Sequence, residues 1–161
     1  MPADGFRAAR LIALLVPLAL ILGALGSQFI GGLVPCEMCM WQRWPHYAAI
    51  VVAALAFVVP GRPTQMLFVL FAAVLVAVSG AIGVFHAGIE YHWWQGITAC
   101  TRGASHGDPM AVLKEVLNRP LIRCDVPQWT LFGISLAGFN AIISLAGAAM
   151  VFALAVRRPR A

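Results

Sequence analysis

The sequence predicts an all-α, membrane-embedded four-helix bundle from three observations: long uncharged blocks, a scarcity of charge, and basic residues gathered on one side. Of 161 residues, 61% are hydrophobic and only 11% are charged, too little charge to clothe a soluble domain of this length. The apolar residues run in long blocks, not in amphipathic stripes, so the chain reads as a single integral membrane domain, 1–161, with water-facing loops. A net charge of +5 would suit a nucleic-acid partner elsewhere. Here the basic residues stand at the ends of apolar blocks, where they set topology, so the expected medium is the lipid bilayer and no nucleic acid is expected.

A bilayer core of ~30 Å needs roughly 20 apolar residues per helix. No charge lies between Arg10 and Glu37, between Arg43 and Arg62 (the shortest gap), between Arg62 and Glu90, or between Asp125 and Arg157. Helices are therefore expected at roughly 11–30, 44–60, 66–88 and 129–156, with outer loops at roughly 31–43 and 89–128. A cleaved signal peptide competes for the first block, with its basic start and apolar core. The block is long for one and Ala24-Leu25-Gly26 is only a passable cleavage site, so a retained helix is expected. Arg7, Arg10, Arg62, Arg157, Arg158 and Arg160 share one face with the single acid Asp4. On the other face, Arg43, Arg102, Lys114, Arg119 and Arg123 balance Glu37, Glu90, Asp108, Glu115 and Asp125. Basic residues favour the cytoplasmic side, which puts both termini inside and both long loops outside. In the second loop, Asp108-Pro109 reads as a cap and first-turn proline. The stripe Met110, Leu113, Val116, Leu117 predicts a short surface helix over Pro109–Asn118, closed by Pro120.

All four cysteines, Cys36, Cys39, Cys100 and Cys124, fall in the two outer segments, where an oxidising compartment lets disulfides persist. Three pairings are possible. Cys36-Glu-Met-Cys39 is a Cys-x-x-Cys motif, which closes a small, easily reduced ring typical of redox-active pairs. If that stretch is helical, Cys36, Cys39 and Arg43 share a face. The positive helix N-terminus and Arg43 would then both favour a Cys39 thiolate. Pro45 as a first-turn proline would instead leave the motif in a loop. Spacing alone keeps static disulfides and metal binding open. A Cys-x-x-Cys bridge is a poor staple, however, and zinc sites usually pair two close motifs, so redox chemistry is favoured and no metal is expected.

The stretch Cys36-Glu-Met-Cys39-Met-Trp-Gln42-Arg43 resembles the DsbB family signature. Gly83-Val-Phe-His86-Ala-Gly88-Ile-Glu90-Tyr-His-Trp93-Trp94 resembles the end of that family's third helix. Cys124-Asp-Val-Pro-Gln-Trp129-Thr-Leu-Phe-Gly133-Ile-Ser135-Leu-Ala-Gly-Phe-Asn140 resembles the approach to its fourth. The likeness covers nearly the whole chain. The vitamin K epoxide reductase family, the nearest rival, keeps its Cys-x-x-Cys near its last helix. The resemblance implies a bacterial inner-membrane, quinone-dependent thiol oxidoreductase. Such an enzyme re-oxidises a periplasmic DsbA-like thioredoxin-fold oxidase and passes electrons to ubiquinone or menaquinone in the membrane pool. It implies Cys36–Cys39 and Cys100–Cys124 disulfides. Cys100 would meet the partner, Cys124 would hand reducing equivalents to Cys36, and Cys39 would face the quinone beside Arg43.

Gln42 and His86 are further quinone-site candidates, each with a packing role as the alternative. Trp41, Trp44, Trp93 and Trp94 read as interface anchors, and Glu90 as a local cap or pairing group. Two other functions share these residues: a family branch serving one dedicated partner, and a non-enzymatic scaffold with static disulfides. A scaffold has no need of Arg43 beside a Cys-x-x-Cys.

Overall fold

The apolar blocks form helices whose small residues face inward and whose large residues face outward. The computed structural model describes residues 3–98, 109–110, 117 and 123–156. Among these are four long helices: α1 (Ala3–Phe29), α2 (Glu37–Val58), α3 (Arg62–Glu90) and α4 (Leu136–Val156). α1 and α3 each pack against both α2 and α4 and touch one another little, so they sit on the diagonal of a four-membered bundle. The direction alternates. Arg10 near the start of α1 reaches Gln65 near the start of α3 and lies over Phe57 near the end of α2, and Gly5 lies against Leu154 near the end of α4.

Alanines and valines fill the core at this arginine-rich end: Ala9, Ala13, Ala53, Ala56, Val69, Ala72, Ala73, Val151 and Ala155. Leu15, Leu22, Val51, Leu55, Leu67, Phe71, Ile142 and Met150 are exposed. A soluble protein hides such residues, whereas a bundle in lipid packs small residues inside and turns large apolar ones outward. Among the described residues, three helical segments are long and apolar enough to cross a membrane: Gly5–Phe29, Arg62–Glu90 and Leu136–Val156. The expected second span, α2, is not one of them. Its first half carries Gln42, Arg43 and His46, all buried on the inward face, so its polarity is turned away from the helix's outer surface.

Helix boundaries depart from expectation for local reasons. α2 begins at Glu37 and not near 44, because Cys36 serves as its N-cap and Pro45 lies inside the helix. α3 extends to Glu90 and ends in a Schellman arrangement. His92 adopts a positive φ of 59°, and the amides of His92 and Trp93 return to the carbonyls of Ile89 and Gly88. α4 begins at Leu136 and not at Trp129. The preceding residues form a hairpin, β1 (Thr130–Leu131) antiparallel to β2 (Ile134–Ser135). Phe132 and Gly133 make its two-residue turn, both with positive φ, the combination a tight hairpin demands. Tyr91 braces it: its hydroxyl donates to the Gly133 carbonyl and accepts from the Ser135 amide, both at 2.8 Å. Most of the expected surface helix over Pro109–Asn118 lies outside the described residues, as do Cys100 and Arg157, Arg158 and Arg160.

Candidate thiol site

Cys36 caps α2 with its sulfur, which accepts the Cys39 amide at 3.2 Å, a task usually given to Ser, Thr, Asp or Asn. The cap puts Cys39 in the first turn, so both sulfurs meet at the positive end of the helix dipole. They lie 2.7 Å apart and both are free thiols. The implied Cys36–Cys39 disulfide is therefore not formed in this structure, since a bond would bring the sulfurs to ~2.05 Å. Both precede the apolar run of α2, which begins at Ala48. The Cys39 contact, and after it burial, push the Cys36 thiol far above its ordinary range. Cys36 thus holds the proton of the pair. Cys39 is shifted downward, chiefly by the hydrogen bond from Cys36, with the Arg43 charge the smallest contribution. The guanidinium is occupied elsewhere: Arg43 donates to Gln28 Oε1 at 2.6 Å and to the Ala24 carbonyl at 3.2 Å. It therefore ties α2 to the C-terminal part of α1.

His86, near the end of α3, faces the pair. Its Nε2 lies 3.6 Å from Cys36 Sγ and 3.8 Å from Glu90 Oε1, and the ring also hydrogen-bonds the Cys124 main chain. Its Nδ1 accepts from the Gln42 amide nitrogen at 2.7 Å, which leaves the proton on Nε2, toward the sulfur and carboxylate. Cys124 is buried in one cluster with Cys36, Met38 and Ile89 and is disulfide-bonded. The residues around it are held by Gln128, whose side-chain amide accepts from Val34 N at 3.2 Å and donates to Val34 O at 2.7 Å. Two sequence-distant cysteine segments thus converge on one imidazole. Cys36, Cys39 and His86 offer ligand atoms within 4.8 Å of one another. The 2.7 Å sulfur separation is nonetheless shorter than the ~3.7 Å that two thiolates on one tetrahedral zinc require at ~2.3 Å per bond.

Sequence reasoning missed the polar cluster behind Gln42. Asn140 on α4 donates to Gln42 Oε1 at 2.8 Å, and its own oxygen lies 2.9 Å from His46 Nε2. Ser79 donates to the Gln42 carbonyl, and Ser144 donates to Asn140 Oδ1. The close approach of α3 and α4 makes this possible. A Cβ on Gly83 would sit 3.0 Å from Ala137 O, Ala141 N and Asn140 Nδ2, so only glycine leaves the room. The available signal was polar residues inside apolar runs, which usually face the bundle interior. Trp94 differs from a simple interface anchor: its indole covers Gly88 and donates to the Phe85 carbonyl at 2.9 Å. Glu90 pairs locally as expected, with His86 and with Ser135.

A cavity of about 570 Å³ opens beside the thiols. Apolar side chains of α1 and α4, including Leu15, Ala19, Leu20, Leu136 and Ile143, line it together with Leu33, Val34, Pro35, Val126 and Trp129 of the loops. Its polar lining includes Cys36, Cys39, Gln42, Arg43, His46, His86 and Glu90, together with Ser27, Arg123, Gln128 and Asn140. Size and lining match a small-molecule site with a few converging polar groups.

Helices able to cross a membrane, together with a dithiol at one end, define a multi-pass membrane protein of the thiol oxidoreductase class. The family model described as "Disulfide bond formation protein DsbB" matches residues 6–154, and the chain belongs to that family. It is similar to "Disulfide bond formation protein B" of Polaromonas sp., at 29% identity over 92% of this chain and 94% of that protein. The Chromohalobacter salexigens protein of the same name is 26% identical, over 87% of each. "Disulfide bond formation protein B 1" of Pseudomonas entomophila is 38% identical over 51% of this chain and 48% of its own. No solved structure matches.

Proposed function

We propose that the protein is a quinone-dependent protein-disulfide oxidoreductase that re-oxidises a DsbA-like thioredoxin-fold partner. The observation that carries this reading is a Cys-x-x-Cys dithiol opening onto an apolar cavity, with Cys124 packed in the same cluster. The partner's dithiol would exchange into a Cys100–Cys124 bridge, so that one disulfide breaks here as another forms in the partner. A Cys124 thiolate would then attack an oxidised Cys36–Cys39 bridge at Cys36 and release Cys39 as the leaving thiolate. Re-closure of Cys100–Cys124 would leave Cys36 and Cys39 as two thiols. Free Cys36 and Cys39 beside a disulfide-bonded Cys124 are consistent with that end point. A ubiquinone or menaquinone in the cavity would supply the acceptor for two electrons and two protons as the Cys36–Cys39 bond re-forms. The cavity's size and apolar walls fit a lipid-soluble ring. Gln42, Arg43 and His86 would form its polar edge.

In this reading α2 also spans the bilayer, giving four spans in a bacterial inner membrane. The gathering of Arg7, Arg10 and Arg62 at the end away from the thiols supports cytoplasmic termini and a periplasmic thiol site. The test is turnover of purified protein with a reduced thioredoxin-like partner and each quinone in turn. Wild type should turn over, and Cys36→Ser should fall to background. Full turnover by Cys36→Ser would sink the relay.

A further inference from the structure

We infer that His46 forms a second polar subsite in the cavity, a hydrogen-bond acceptor for a hydroxyl of the reduced, hydroquinone form of the ring. This inference deepens the quinone reading above and rests on it. His46 is 2% exposed and lines the cavity. Its Nδ1 is buried without a hydrogen-bond partner among the described residues, at a cost the rest of the cluster avoids.

The surrounding bonds fix which nitrogen bears the proton. The Asn140 amide nitrogen donates to Gln42 Oε1 and toward Ser79, so the Asn140 oxygen faces His46 Nε2 at 2.9 Å. Ser144 also donates to that oxygen, and Ser79 spends its proton on the Gln42 carbonyl. Every neighbour of Nε2 is therefore an acceptor toward it, and Nε2 carries the hydrogen. In the neutral ring Nδ1 is then a bare lone pair, which a hydroxyl can satisfy and a quinone carbonyl cannot.

The position suits a ring bound along α2. His46 lies seven residues from Cys39 on the same face, and three residues, ~4.5 Å of rise, below Arg43. That step is comparable with the width of a six-membered ring bearing oxygens at opposite ends. One oxygen would then lie near Arg43 and the thiols, and the other near His46. The subsite would favour the product over the oxidised ring and hold it by its far hydroxyl.

Two substitutions separate binding from packing. His46→Gln keeps a polar end toward Asn140 but has nothing in the place of Nδ1. His46→Asn keeps a polar atom near Nδ1 but cannot reach Asn140. The probes are a short-chain 1,4-hydroquinone and its 1,4-quinone, with anaerobic binding to full-length purified protein followed by tryptophan fluorescence and thermal unfolding recorded alongside. His46→Gln should bind the hydroquinone about tenfold more weakly, the loss of one hydrogen bond, with quinone affinity within about twofold and an unchanged unfolding temperature. His46→Asn should keep hydroquinone affinity within about threefold and unfold earlier. Wild-type hydroquinone affinity in His46→Gln would overturn the inference, as would equal weakening of both ring forms. Wild type that binds neither ring and fails to turn over would instead remove the quinone reading itself.

Discussion

The two ends of the bundle are built on opposite principles. At the arginine-rich end, the buried cluster among the described residues is apolar, mostly alanine and valine, with the Arg10–Gln65 hydrogen bond at its part-buried edge. Toward the thiol end, Gln42, His46, Ser79, His86, Asn140 and Ser144 join one hydrogen-bonded cluster across α2, α3 and α4. Small residues in lipid gain stability from close backbone approach. Buried polar groups give little net stability, yet each is costly to leave unpaired. The division teaches that the first end holds the helices together and the second holds chemistry in place.

The largest effect on stability should come from crowding the apolar end. Ala72 is fully buried on α3, and Ala72→Phe should cost about 3 kcal/mol, the upper part of the range for overpacking. Cys39 should react with a thiol reagent as before in the molecules that remain folded. Denaturant titration in detergent and alkylation rate measure the two. A changed alkylation rate at full occupancy of the folded state would break the comparison, because the ends would then be mechanically linked.

A smaller loss is expected from Asn140→Ala. Interhelical hydrogen bonds in membrane bundles average ~0.6 kcal/mol and reach ~1.7, so removing a residue that bonds Gln42 and His46 should cost about 1–2 kcal/mol. Here the alkylation rate should change, because Gln42 also holds the His86 ring that faces Cys36. A stability loss as large as that of Ala72→Phe, with thiol reactivity intact, would make the polar cluster a second structural core.

The contrast between the ends was unevenly legible in the sequence. Long uncharged blocks announced the helices, because lipid exposure demands continuous apolar surface. The thiol motif was legible for the same local reason: Cys36 and Cys39 are three residues apart. The start of α2 was not, since Pro45 reads as a first-turn residue and only the Cys36 cap shows that the helix begins earlier. Nor was the hairpin before α4, whose turn needs positive φ at Phe132, a residue that gives no such signal. His46 and Asn140 escaped because their pairing spans α2 and α4, and periodicity within one helix carries no information about a partner on another. The role expected of Arg43, to favour a Cys39 thiolate together with the helix N-terminus, was half visible. The charge is near, but its hydrogen bonds go to Gln28 and Ala24.

The smallest effect should come from the Arg123–Asp125 ion pair, whose arginine lines the cavity. Arg123 bonds both oxygens of Asp125, at 2.9 and 2.6 Å, but Arg123 is exposed and water screens such pairs. Asp125→Asn should leave the unfolding temperature at neutral pH unchanged within error. The hydrogen bond from Arg123 holds the Asp125 carboxyl below its ordinary value of 3.8. Whatever the pair contributes is therefore fully present above that value, and is lost only as pH falls through the lower folded value. Only the screening of an exposed pair makes that contribution small, so wild type and Asp125→Asn should unfold alike across the neutral range. A clear drop at neutral pH would show that the loop carrying Cys124 depends on this pair and not on Gln128, and would move part of the work of holding the thiol site from the buried cluster to its surface.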